Sequence, residues 1–318
     1  MKVLQITNNY PTDRFPVFGI FVKEQIDSLS DLGVECDVFF MNTRERGKKE
    51  YLRSLFRLKK QFHRNKYDLV HCHHSYSAIV FLCSGMIFRK RCILSYQSDP
   101  EKESGKFLFS ILYRFFDLII LKNRSREINY SRTIYLPNGV NTGFFRPLDK
   151  ISCKRQLGLS DNKRYIVFMD SYDRRPFKRI DRFRETIRIL RENYSFSDLE
   201  PLILTNTERS LIPAYLCSAD LHLLTSDFEG SPNSVKECLA CNVPVVSTPV
   251  GNVAELLSGV EGSYVAKSFN PEELAELTCS VLNRNHFSSR NSIIEKGLDI
   301  KDVAIKLFNI YRDLIQNK

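Results

Sequence analysis

The sequence predicts an α/β protein built from two parallel-sheet domains. Three observations carry that expectation. Short β-rich runs alternate with helix-period segments through both halves. A chain of 318 residues exceeds what one core usually organises and suits two domains of roughly 150 residues each. The pattern is interrupted near NTGFFRPLDKIS, where Pro147 and polar residues precede a second strand-helix series. Repeated alternation implies parallel sheets covered by helices on both faces.

The first half reads as strands KVLQIT, VECDVFF, YDLVHCH, CILSYQ and TIYLPNG. Between the first two lies FGIFVKEQIDSLSDLG, whose Phe18, Phe21, Ile26, Leu29 and Leu32 share one helical face. The second half reads as YIVFMDS, LILTN, ADLHLLTS and VPVVSTP, separated by helices such as RIDRFRETIRILRENY. Ligands of such sheets bind beyond the carboxyl ends of the strands, and two facing domains would enclose a cleft.

Composition narrows the function. The amino end MKVLQITNNYP lacks the apolar region of a signal peptide. The longest apolar stretch, AIVFLCSGMIF, is about half of a membrane span. Nine scattered cysteines fit free thiols in a reducing compartment, so a cytoplasmic location is expected. Of the net charge of +10, residues 1–150 supply all, with 25 Lys+Arg against 15 Asp+Glu. Residues 44–66, RERGKKEYLRSLFRLKKQFHRNK, hold 10 basic and 2 acidic side chains. With Leu52, Leu55, Phe56, Leu58 and Phe62 at roughly helical spacing, this segment reads either as a basic amphipathic helix on an anionic membrane surface or as an ordinary solvated face. It carries no recognised nucleic-acid motif or stacking pattern, so no nucleic-acid partner is expected. The loops after the first strand of each half, TNNYPTDRFPVFG and MDSYDRRPFK, lack G-x-G-x-x-G, and no P-loop is present.

EGSPNSVKE, residues 229 to 237, places two carboxylates around a helix start. Ser231 suits the N-cap and Pro232 the first helical position. The first N–H groups of that helix would favour a phosphate, with Glu229 and Glu237 as flanking acceptors. This suits a nucleoside diphosphate sugar, whose hydroxylated rings flank a diphosphate. Spacing alone favours a capped helix with two surface glutamates.

SDFEGSPNSVKECLACNVPVVSTPVGNVAEL resembles the signature of the retaining glycosyltransferases of family 4. The likeness includes the E-x7-E pair, the strand entry Ala-Cys-Asn-x-Pro-Val-Val and the loop Val-Gly-x-Val-x-Glu. LPNGVNTGFFRP, residues 136 to 147, resembles the same family's domain junction. The resemblance implies a GT-B fold, two facing Rossmann-like domains with an interdomain cleft. It implies an acceptor-side domain over 1–148 and a nucleotide-sugar domain over 149–301, with a last helix at about 302–318 packing back on the first.

By the same resemblance, Glu229 contacts the transferred sugar and Glu237 the ribose, while Gly230, Ser231, Pro232, Asn233 and Ser234 lie by the donor sugar and diphosphate. YDRRPFKR supplies Lys178 and one of Arg174 or Arg175 to the diphosphate. In YDLVHCHHSYS, a strand sends neighbouring histidines to opposite faces and no second ligand cluster follows, so a metal site is not expected. The resemblance assigns His73 to the donor sugar and leaves His71 to strand packing. Cys238 and Cys241 read as packing. The family often has two glycines where PVFGIFVKEQ has Gly19 alone; an acceptor or phosphate site is still expected there, and Asp99 of YQSDPEK matches an acceptor region.

The implied reaction is metal-independent, cofactor-free transfer of a hexose or N-acetylhexosamine from a nucleotide sugar, most plainly a UDP-sugar, to a glycan, with a lipid-linked acceptor suggested by the basic first domain. The competing expectation is a nucleotide-sugar-binding protein that acts as an epimerase, a phosphorylase or a non-catalytic binder.

Overall fold

The computed structural model describes residues 1–124, 131–170, 175–284 and 287–316. The chain divides into two compact units: Met1–Arg14, Phe18–Gly139 and Ile300–Lys318 form one, Phe15–Val17 and Val140–Asp299 the other.

In the first unit, strands β1 (Lys2–Thr7), β2 (Glu35–Phe40), β3 (Leu69–His73), β4 (Arg91–Ser95), β5 (Leu118–Leu121) and β6 (Thr133–Tyr135) make a sheet of order β2-β1-β3-β4-β5-β6. Its pairings are parallel, with Thr7 beside His73 and His73 beside Ser95. Strand alternation sends Val3, Leu69, Ile93 and Ile120 to one face, where they pack with Leu29, Val303, Leu307 and Tyr311. Leu4, Ile6, Val70, Cys72 and Leu94 face the other way, onto helices Lys49–Arg64, Ser75–Cys83 and Lys106–Phe115. Helix Ile300–Gln316 therefore belongs to the first unit and packs beside helix Ile20–Ser30.

Strand β5 lies where no strand is expected from the sequence. The run KFLFSILYRFFDLIIL is apolar almost throughout, so the switch from helical to strand periodicity at Phe116 is masked; the structure ends the helix at Phe115 and starts β5 at Leu118. The first helix also buries a different stripe from the expected one. Val22, Ile26 and Leu29 are inside, whereas Leu32 lies beyond the helix and is exposed.

In the second unit, β7 (Arg164–Asp170), β8 (Leu199–Thr205), β9 (Leu221–Leu224), β10 (Val245–Ser247) and β11 (Tyr264–Val265) form a parallel sheet of order β11-β10-β9-β7-β8. Pro201 sits inside β8, which is tolerated because β8 is an edge strand and its missing N–H is not needed by a second neighbour. Val167, Leu224 and Val245 pack on one face with Val235, Leu239 and Val253; Ile166, Leu223 and Val246 pack on the other with Phe183, Leu190 and Leu274. Each side chain so buried contributes about 1.5–3 kcal/mol.

All nine cysteines are free thiols, and Cys238 and Cys241 are core residues of the second unit.

Candidate functional site

The site is built at the carboxyl ends of β7 and β9, where an open parallel sheet presents its loops to ligands. After β7, residues 171–174 lie outside the described residues, so the expectation placed on Arg174 falls there. The chain then makes a short 3-10 turn, Pro176–Lys178. After β9 it runs through Ser226 to Glu229, and these two segments are tied together. Asp227 N–H donates to Phe177 O at 2.8 Å, Thr225 Oγ donates to Lys178 O at 2.9 Å, and the rings of Phe177 and Phe228 stack at 4.5 Å.

Arg182, 7% exposed, reinforces the tie by donating to Thr225 O and to the Asp227 carboxylate. The consequence is a fixed pair. Lys178 Nζ donates to Glu229 Oε1 at 2.5 Å, and Ser226 Oγ donates to the same oxygen at 2.7 Å. Lys178 and Glu229 are only 9% and 13% exposed, so solvent screens their attraction weakly.

Arg175 is anchored on Asp170. Its guanidinium donates to Asp170 at 2.7 Å, its backbone N–H reaches the other carboxylate oxygen at 3.0 Å, and it lies 5.1 Å over Phe177.

The helix that carries the second glutamate is Asn233–Ala240, with Pro232 as its N-cap. Ser231 is therefore not the cap. Its hydroxyl lies 3.2 Å from the amine of Lys236, a fully buried lysine that turns back toward the helix start. A buried ammonium needs acceptors more than a helix end needs a cap. Asn233 Oδ1 is a buried acceptor with no hydrogen-bond partner at this same helix start. Ser234 Oγ contacts His222 Nε2 at 3.1 Å, and burial holds His222 down at about 4, hence neutral.

Glu237 lies one helical turn beyond Asn233 and is 7% exposed. Arg209 Nη1 donates to its Oε1 at 2.7 Å, with the guanidinium 4.6 Å over Phe145. Gly251 completes the frame. A Cβ there would fall 2.3 Å from Gly230 O, and Asn252 N–H donates to that oxygen at 3.0 Å.

Residues 188–284 match the family described as Glycosyl transferases group 1. That match lies within the second unit. The UDP-Gal:alpha-D-GlcNAc-diphosphoundecaprenol alpha-1,3-galactosyltransferase of Escherichia coli is 25% identical over 316 residues, covering 84% of this chain and 81% of that protein. The sucrose-phosphate synthase of Thermosynechococcus elongatus superposes with a TM-score of 0.78 at 15% identity, covering 100% of both chains. Anabaena HepE in complex with UDP and glucose gives 0.68 at 15% identity, covering 98% of this chain and 99% of that one. The fold is GT-B: two Rossmann-like units, each with a parallel sheet.

Lys178, Glu229, Gly230, Ser231, Pro232, Asn233, Ser234 and Glu237 thus all belong to the second unit, and all but Lys178 fall within the matched residues 188–284. No role is assigned by sequence to Arg209, Lys236 or Arg182, and Gly251 stands there only as part of the Val-Gly-x-Val-x-Glu loop. Arg209 had a usable signal, since it follows a predicted strand whose carboxyl end belongs to the ligand side of the sheet. Lys236 and Arg182 had none, because their charges look like solvent-facing positions on a helix.

The first unit holds the other expected residues. His73 is 2% exposed; its Nε2 lies 2.8 Å from Gln5 Oε1, and its ring stacks on His71 at 4.2 Å. Burial, with the nearby Lys122 amine, lowers its pKa to about 3, so the imidazole is neutral. His71 bridges Tyr311 Oη and Ser95 Oγ, confirming it as strand packing. Gly19 has φ of 69°, and a Cβ would fall 2.3 Å from the backbone of Asn9, so glycine is required for close packing of the 9–19 loop. Asp99 caps helix Pro100–Ser104, accepting from Glu101 N–H at 2.9 Å and Lys102 N–H at 3.2 Å.

Proposed function

We propose that this chain is a retaining glycosyltransferase that moves a hexosyl or N-acetylhexosaminyl group from a UDP-sugar to a hydroxyl of a lipid-linked glycan. Glycosyl transfer as the class rests on the group 1 domain and on relatives that are themselves glycosyltransferases. The donor and acceptor classes follow the E. coli relative, which uses UDP-Gal and a diphosphoundecaprenol-linked sugar, and the UDP seen with Anabaena HepE.

The observation that carries the reading is the fixed Lys178–Glu229 pair, set beside a helix start whose Asn233 Oδ1 lacks a partner. An ammonium has three N–H donors, and Glu229 takes one. The others are available for the leaving diphosphate, whose negative charge grows as its bond to the anomeric carbon breaks. Preorganised cations stabilise that charge more in the transition state than in the ground state. No metal is then required, and one Lys with a helix end supplies the electrostatics.

In the proposed reaction the C1–O bond to the diphosphate breaks and its electron pair leaves with UDP. The acceptor oxygen bonds to C1 from the same face, and its proton passes to the departing phosphate oxygen. Glu229 holds hydroxyls of the transferred sugar and Glu237 those of the ribose.

The test is a panel of nucleotide sugars, read by thermal stabilisation and by product analysis. A single donor class that stabilises the chain and yields UDP is expected, with Glu229→Ala abolishing transfer while the fold is retained. Isomerised UDP-sugar, or a requirement for free phosphate, would replace this reading with the epimerase or phosphorylase one.

A further inference from the structure

We propose that the helical layer of the first unit formed by Lys49–Arg64, Ser75–Cys83 and Lys106–Phe115 is a docking face for an anionic lipid bilayer. The apolar residues of residues 44–66 do not form one stripe. Helix Lys49–Arg64 buries Glu50, Ser54, Leu58 and Phe62, whereas Leu52 and Phe56 point the opposite way, 66% and 77% exposed. Around them lie exposed Lys49, Arg53, Lys59 and Lys60. The acid of this helix, Glu50, is 1% exposed and paired with Arg57, so it does not offset the outer charge.

The same layer continues through helix Ser75–Cys83, which packs on Lys49–Arg64, on Lys106–Phe115 and on the turn Met86–Arg89. Phe88 on that turn is 77% exposed and Phe107 is 81% exposed, the latter beside exposed Lys106 and Arg114 on a helix with no acidic residue. Single exposed hydrophobics are ordinary on protein surfaces. Among the described residues, however, these four are the most exposed large hydrophobic side chains, and the next reach 49%. Their gathering in one cationic layer is what a chance distribution over two units would not give.

The chemistry favours a bilayer over other polyanions. Leu52 and the three Phe side chains offer no hydrogen bond to a base or a peptide, but they can enter the acyl boundary. Lys and Arg stems can lie along that boundary while their charges meet lipid phosphates. The charge is complementary to anionic headgroups and not to neutral ones, so binding should weaken with salt.

The experiment is co-sedimentation of the full chain with phosphatidylcholine vesicles, with and without about 30% phosphatidylglycerol, at low and high salt. Binding to the anionic vesicles at least tenfold above the neutral ones, lost at high salt, is expected. Leu52→Ser with Phe56→Ser should reduce binding about tenfold. Arg53→Glu with Lys60→Glu should reduce it further, on the order of fivefold for each cation removed. All four side chains are solvent-facing, and circular dichroism with thermal unfolding checks that each variant folds.

Equal binding to neutral vesicles overturns the proposal, as do two folded variants that both bind like the parent. Loss in the charge variant with full retention in the apolar variant also overturns it, in favour of a general polyanion surface. A concentration-dependent dimer held by Phe56, without vesicle binding, does so as well. Vesicle binding needs neither donor nor acceptor, so failure here is distinct from failure of the transfer reaction.

Discussion

Arg209 holds Glu237. Its guanidinium donates to the carboxylate at 2.7 Å and covers the ring of Phe145 at 4.6 Å, and the pair is largely withdrawn from solvent. The glutamate proposed for the ribose is thereby oriented by a residue from the loop after β8. Breaking a buried pair by removing one partner costs on the order of 3 kcal/mol, because the remaining charge stays desolvated. Arg209→Gln is therefore expected to raise the donor KM tenfold or more with a smaller effect on kcat. Arg209→Lys, which keeps the charge but loses the planar contact with Phe145, should fall between. UDP stabilisation unchanged in Arg209→Gln would sink the assignment.

Lys178 and Glu229 share one ion pair, and their substitutions should not be additive. Lys178→Met removes the cation from the proposed leaving group, and Glu229→Gln removes the carboxylate charge that pairs with Lys178 and faces the proposed sugar; each is expected to lower kcat by about a hundredfold or more. The double variant should be little worse than the poorer single one. Rates that simply multiply would show two independent roles in place of a unit.

Gly251→Ala tests the frame rather than the chemistry. With φ of 54° and a new Cβ 2.3 Å from Gly230 O, the Glu229–Gly230 backbone must move. The expected result is loss of most transfer activity together with a stability loss of about 1–3 kcal/mol. Normal donor binding by a folded Gly251→Ala would refute the tight coupling of these two loops.

His73 sets a pH dependence. Burial lowers its pKa to about 3 from an ordinary 6.5, so between those values the unfolded chain binds a proton that the native state refuses. Stability present above about pH 6.5 should fall as the solution is acidified, by roughly 1.4 kcal/mol per pH unit for this one group. His71 and His222, also lowered by burial, add in the same direction. Urea unfolding at pH 7, 6 and 5 reads the slope, which should be shallower by about one proton in His73→Asn. An unchanged slope would remove His73 as the source.

Periodicity made the two α/β series readable, and EGSPNSVKE was legible as a helix start with two carboxylates because caps and turns are local chemistry. Local chemistry also misled in places. Ser231 has the residue type of a cap, but a lysine five positions later, buried by tertiary packing, takes its hydroxyl. Strand β5 was hidden because an apolar run does not reveal where its period changes. Leu52, Phe56, Leu58 and Phe62 read as one set at roughly helical spacing, but a helix is sided by what it packs against: Leu58 and Phe62 are buried, while Leu52 and Phe56 face out.

The sequence by itself determined the alternation of strands and helices, the cationic bias of the first half and the placing of two glutamates around a helix start. Those properties follow from residue type and short-range spacing. Tertiary structure alone decided that Lys178 meets Glu229 across 51 positions and that Arg209 meets Glu237 across 28. It also decided that Gly251 must lack a Cβ because Gly230 lies against it. Such pairings depend on which strand ends a parallel sheet sets side by side, and that order is fixed by the packing of the whole unit.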